Sequence, residues 1–180
     1  MIAAIASRRT GDVMATALRH LAHAFALLGS AAALAVAALT VTSVALRALT
    51  SRPIQGDVEL AQFGIALAIS LAVPWCQLRG ANIIVDFFTQ RLPAARIRTL
   101  DAVGALLIAV MFALLAWRTG VGAVAVYEAG ETSMIRALPM WWVYASLAPG
   151  LALAALIALL QATLHWRGLP LDVLHGGQGA

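Results

Sequence analysis

The side chains able to do chemistry in this sequence are few, and they sit at the edges of its apolar stretches. The histidines are His20, His23, His165 and His175, all in tails or at the ends of those stretches. A membrane haem needs axial ligands facing each other inside a helical bundle, so haem ligation is not expected. The single cysteine, Cys76, excludes an intramolecular disulfide, a CxxC redox pair and a cysteine cluster for zinc or iron–sulfur. Asp57 and Glu59 open the second apolar stretch, Asp101 opens the third, and Glu128 and Glu131 follow it. A proton- or ion-coupled carrier is expected to hold an ionisable group deep in the membrane, and no carboxylate is deep. Arg118 is the one charge inside a stretch, about two and a half turns from its outer end and within snorkelling reach of it. The reading is therefore a chain with no catalytic residue, cofactor or metal site.

The elements that position these groups follow from composition. Of 180 residues, 62% are hydrophobic and 11% are charged, and the mean hydropathy is +0.90. A water-facing surface cannot be built from such a chain. All the basic residues are arginine, and they lie mostly between the apolar stretches. The pI near 10.6 therefore reflects juxtamembrane loops and not a nucleic-acid surface, because the arginines form no stripe with interleaved aromatics.

Four stretches are long enough to cross a hydrocarbon core of about 30 Å, which takes ~20 apolar residues as helix. They run over residues 25–46, 60–78, 102–127 and 140–164. Helix is the expected form, since a lone helix satisfies its own backbone polar groups in lipid. The expected fold is an all-α membrane protein of four transmembrane helices with an amphipathic interfacial helix between spans two and three. The chain divides into an N-terminal amphipathic segment (1–24), a four-span membrane domain (25–164) and a C-terminal tail (165–180). Arg8, Arg9, Arg19, Arg79, Arg91, Arg96, Arg98 and Arg167 fall on one side, and Arg47, Arg52, Arg118 and Arg136 on the other. Excess arginine marks the cytoplasmic face, so both termini and the middle connection are expected inside.

Ser7-Arg8-Arg9-Thr10 also resembles a twin-arginine export signal. Asp12 close behind it, and an apolar run continuing to Leu46, suit a retained span better. Val13, Met14, Ala17, Leu18, Leu21 and Phe25 have helical apolar spacing, which predicts a surface-lying segment that then turns into the first span.

Small residues recur every four positions as Gly29-Ala33-Ala37, Gly64-Ala68-Ala72-Cys76 and Gly150-Ala154-Ala158-Ala162. Such ribbons let helices approach closely in lipid, and they also arise by chance in an alanine-rich chain. Pro74 is expected to bend the second span.

Three polar clusters remain. Gln55-Gly56-Asp57-Val58-Glu59-Leu60 opens span two, where acids favour the positive end of the helix dipole; Asp57 reads as a cap and Glu59 as a group needing a partner, either Arg52, Arg136 or another subunit. In the segment from Arg79 to Gln90, Arg79, Asn82, Asp86 and Gln90 form a polar face opposite Ile83, Ile84, Phe87 and Phe88. It reads as a helix along the inner surface, either a plain connector or a docking face. The third cluster, Gly130 to Tyr144, ends in Trp141, Trp142 and Tyr144, which with Trp75 are candidate interface anchors.

These clusters, in this order, resemble the small membrane subunit of TRAP transporters, the tripartite ATP-independent periplasmic systems (the DctQ-like, or Q-type, family). The resemblance covers about Leu39 to Leu160. It rests on Gly56-x-x-Glu59-Leu60, Asn82-Ile83-x-Val85-Asp86, Trp117, Leu138-Pro139-Met140-Trp141, Tyr144 and Pro149-Gly150. The family often has histidine where this chain has Asn82, an amide that hydrogen-bonds but does not titrate. The resemblance implies a multi-pass protein of the bacterial inner membrane, non-catalytic and without cofactor. Its partners would be a large M-type permease holding the substrate and sodium sites and, transiently, a periplasmic binding protein delivering an organic acid. Glu59, Arg79, Asn82, Asp86, Asp57 and Arg136 are the candidate partner-interface residues. The competing readings are a stand-alone homo-oligomeric transporter, for which Arg118 is the sole candidate group, and a membrane subunit of a redox complex.

Overall fold

A computed structural model describes residues 2–52, 54–80 and 93–169. Four helices account for nearly all of them: α1 (Ile2–Thr50), α2 (Asp57–Leu78), α3 (Ala94–Glu128) and α4 (Trp141–Arg167). Each is long and apolar enough to span a bilayer. The interfacial helix expected between spans two and three, with Asn82 and Asp86, lies outside the described residues.

The helices stand side by side in the order α1, α2, α4, α3, the main contacts running α1 to α2, α2 to α4 and α4 to α3. The described helices thus form a single row, with α1 at one edge and α3 at the other, and α1 also touches α4 where Ala22 meets Leu153 and Ile157. The serines and threonines within the spans fit lipid because they bond their own backbone: Ser30 to Ala26 O, Thr40 to Val36 O, Thr42 to Ala38 O and Thr119 to Leu115 O, each four residues back.

The first helix departs from expectation. No turn separates the amphipathic segment from the span: α1 runs unbroken for 49 residues, about 74 Å at 1.5 Å per residue. Ala15 and Ala22 are buried, and Leu18 and Phe25 pack with Trp75 against a core of Ala22, Leu78, Leu153 and Ile157. Part of the apolar face of this segment, Leu18 and Phe25, is therefore taken up by α2 and α4 while Met14 and Leu21 stay exposed, and an alanine-rich stretch without proline has nothing to end the helix.

Packing on α1 follows a seven-residue repeat, not the expected ribbon. Ala15, Ala22, Gly29, Val36 and Ser43 line the seam, flanked by Leu18, Phe25, Ala32 and Leu39, whereas Ala33 and Ala37 are exposed. The antiparallel neighbour answers in the same repeat. Ser43 meets Asp57, a β-carbon on Gly64 would overlap Val36, one on Gly29 would lie 3.2 Å from Leu71, and Ala22 clusters with Leu78. A spacing of four drifts around a helix, while a spacing of seven stays in register with a partner crossed at a shallow angle. In α3, Ala102, Ala109, Ala116 and Ala123 form a similar line. In α4 the expected ribbon is the packing face: Gly150, Ala154, Ala158 and Ala162 are all buried. Cys76, at the end of the second ribbon, is exposed.

α2 and α4 cross at a pair of prolines. Pro74 has no N–H to offer the carbonyl of Ser70 one turn earlier, so that carbonyl is free of its helical partner. Ser70 donates its own hydroxyl to Leu147 O at 2.7 Å. Gly150, next to Pro149, packs directly on the Ser70 carbonyl, and a β-carbon there would overlap it.

Candidate functional site

At the end of the bundle where α1 connects to α2 and α3 to α4, the polar groups of both loops converge. The turn before α2 needs Gly56, which has φ +72°, a conformation that costs a β-carbon-bearing residue about 1–2 kcal/mol. The bare Gly56 also leaves room for the stem of Arg136, whose Cγ would lie 2.8 Å from a β-carbon at that position. Arg136 then reaches past it to donate from Nε to Gln55 O at 2.8 Å. The Asp57 carboxylate accepts from the Val58 N–H at 2.8 Å and from the Ser43 hydroxyl of α1. Ser43 Oγ in turn accepts from Ile54 N–H at 3.3 Å, and its residue is buried. Asp57 thus ties α1 to the start of α2, beyond the capping role expected of it.

Glu59 has its partner within the chain. Its Oε1 accepts from Ile135 N–H at 2.8 Å; its Oε2 accepts from the Ser133 hydroxyl at 2.8 Å and from Arg136 N–H at 3.2 Å. The carboxylate meets the backbone of the loop, and Arg136 supplies its amide there while its guanidinium Nε serves Gln55. The loop is already shaped to receive it. Ser133 N–H donates to Leu138 O at 2.9 Å, Met140 N–H to Glu131 O at 3.0 Å, and Leu138 N–H to Ser133 Oγ at 3.2 Å. Charge-assisted bonds of this kind are short and strong, and here they join segments more than 70 residues apart. At the helix ends that the loop joins, Tyr127 and Trp141 meet edge to face at 5.6 Å and Trp141 and Trp142 at 6.0 Å; Trp142 and Tyr144 are exposed, as aromatic anchors are.

Residues 36–168, about three-quarters of the chain, match the protein family described as tripartite ATP-independent periplasmic transporters, DctQ component. The chain belongs to the DctQ family. Comparison with curated proteins and with solved structures finds no match. As a DctQ component the chain is the small subunit of a TRAP transporter and a multi-pass membrane protein. The matched region holds all the residues of the polar clasp around Glu59 and Asp57 and excludes the first 34 residues of α1.

Two candidates of this DctQ chain at the inner end lie together on α2. Trp75 is half-buried, not free in the interface: His23 of α1 packs against it edge-on at 5.2 Å, and the Arg79 guanidinium sits 4.9 Å from its ring centre. Arg79 thereby caps the α1–α2 contact by a cation–π interaction. Arg118 is exposed on α3, on the side away from the Ala116 seam.

Sequence reading missed the polar pair at the inner crossing of α2 and α4. Gln77 donates from Nε2 to Gln161 Oε1 at 2.7 Å, and Gln161 donates back to the Gln77 carbonyl at 2.9 Å. Both are buried. The available signal was Gln161, the one amide of α4, and Gln77, the second of two glutamines in α2, each within an apolar run. Interhelical amide bonds in membranes are worth about 0.6–2 kcal/mol, and a buried amide left alone costs ~1–3 kcal/mol. Gln77→Leu and Gln161→Leu are each expected to destabilise the chain by about 1–2 kcal/mol, and the double variant by less than their sum. A double-mutant cycle on unfolding in mixed micelles measures this; additive effects would show that the pair does not interact.

Proposed function

We propose that this subunit braces the large permease of its transporter in a bacterial inner membrane, with both termini cytoplasmic, while the larger protein moves an organic acid with sodium. Glu59, Asp57 and Arg136 shape the outer face that the partner and the binding protein would meet, and Arg79, Asn82 and Asp86 belong to the inner one.

The observation that carries this reading is the single layer. A path for a polar solute must be shielded from lipid on all sides by groups that replace its water. A row of four helices encloses no such interior. Only 6% of the most apolar window of α1 and 33% of that of α4 is buried within the chain, which leaves broad apolar faces for lipid and for a partner. The carboxylates of the described spans also keep to helix ends, away from mid-membrane.

The expected result is co-purification with a much larger membrane protein at a fixed ratio, and loss of organic-acid uptake when either gene is deleted. Sealed vesicles holding this chain alone should accumulate nothing down a sodium gradient. Accumulation by the chain alone would overturn the reading.

A further inference from the structure

The ends of α3 and α4 nearest Arg98 and Arg167 flank an open cleft of about 340 Å³ that begins where the α3 seam ends at Ala102 and lies apart from the clasp. Its lining includes Arg98 from α3 and His165, Trp166, Arg167 and Gly168 from the end of α4, and among the described residues it holds no carboxylate. We propose that this cleft binds a phosphate ester, specifically the headgroup of an anionic phospholipid.

Depth places it among headgroups. Arg98 lies 29 residues before Tyr127 on one helix, about 44 Å of rise, the thickness of a bilayer with its headgroup layers. Tyr127 contacts the outer Trp141, so Arg98 stands at the opposite interface, and Trp166 is 75% exposed beside it as interfacial tryptophans are.

The cations there are in excess of what the helix end requires. A helix C-terminus attracts positive charge because its last carbonyls lack donors. Here Gly168 N–H donates to His165 O at 3.1 Å and Leu169 N–H to Leu164 O at 3.0 Å, so two of the last four carbonyls are already supplied by backbone. Gly168 has φ +66° and no side chain, and the Arg98 guanidinium lies 2.7 Å from where a β-carbon would be. Arg98 is thus held over the cap, facing the same cleft as Arg167. Two guanidiniums with no carboxylate among the described lining residues, at the membrane surface, suit a phosphate that can accept from both. Basic pockets between helices at the membrane surface hold anionic headgroups in this way. The cavity falls within the size range of small-ligand sites. The assignment does not depend on the bracing role.

Native mass spectrometry of the full-length chain in a neutral maltoside detergent tests it, titrating palmitoyl-oleoyl phosphatidylglycerol against the matching phosphatidylcholine, with glycerol phosphate as a separate arm. The wild type should hold phosphatidylglycerol at least about tenfold more tightly than phosphatidylcholine. Arg98→Gln with Arg167→Gln should abolish that preference. Arg98→Lys with Arg167→Lys should keep most of it, and Arg47→Gln, at the other membrane face, should leave it unchanged. Equal binding of the two lipids by the wild type, or an undiminished preference in the double glutamine variant, overturns the proposal. Glycerol phosphate binding more tightly than phosphatidylglycerol would assign the site to a soluble ester and overturn the lipid assignment.

Discussion

Alanine in place of Gly150 is expected to destabilise the chain by about 3 kcal/mol, the upper end of the usual cost of overpacking, and to lower its thermal midpoint in detergent by roughly 10 °C. The reason is the identity of the obstructing atoms. The added methyl would collide with the carbonyl oxygen, carbonyl carbon and hydroxyl of Ser70, and two of these belong to backbone. A flexible side chain could swing away, but a helix backbone can only translate. Separating α2 from α4 would also lengthen the Ser70 to Leu147 bond and the Gln77 to Gln161 pair on the same interface. Gly104→Ala and Gly120→Ala are the controls, since a β-carbon at either meets nothing within 4 Å. There the gain in helix propensity should leave stability unchanged or slightly raised. Equal midpoints for Gly150→Ala and these controls would show that the close crossing does not exist in the membrane-extracted protein.

Glu59→Ala is expected to release the outer loop. The substitution strips one carboxylate from three donors, of which two are backbone amides in the loop between α3 and α4. Amide hydrogen exchange at Ile135 and Arg136 should accelerate by at least about tenfold, with the seam amides of Ala109 and Ala116 unaffected. Ala137, whose φ of +53° is unusual for a residue with a side chain, lies in the same loop and should relax with it. Glu59→Gln keeps an acceptor oxygen without the charge and should fall between wild type and Glu59→Ala. A change in association with the large permease while Ile135 and Arg136 stay protected would mean that Glu59 acts on the partner and not on its own loop.

Much of this protein could be read along the chain. The four spans, the two acids in the first turn of α2, the aromatic entrance to α4 and the glycine beside Pro149 all lie where local sequence puts them. Each depends on a property that one residue or one window carries by itself: hydropathy, charge near a helix end, the missing N–H of proline. The family followed from the same kind of signal, a series of short motifs in fixed order.

The choice of faces was different. In water a helix advertises its buried side through contrast between apolar and polar residues, but lipid is as apolar as a leucine side chain, and the contrast vanishes. Ala33 and Ala22 are identical as residues, yet one is exposed and the other fully buried. The seven-residue repeat of α1 became visible only once α2 lay against it. Glu59 could be seen to need a partner, but nothing local distinguished a guanidinium from the amides of a loop more than 70 positions away. Gln77 and Gln161, 84 positions apart, looked like two stray amides. Sequence alone determined that this chain is built to enter a membrane, that it has four spans and which family it joins. Tertiary structure decided which residues meet, because in a medium without hydrophobic contrast that outcome rests on steric fit and on pairing between distant polar groups.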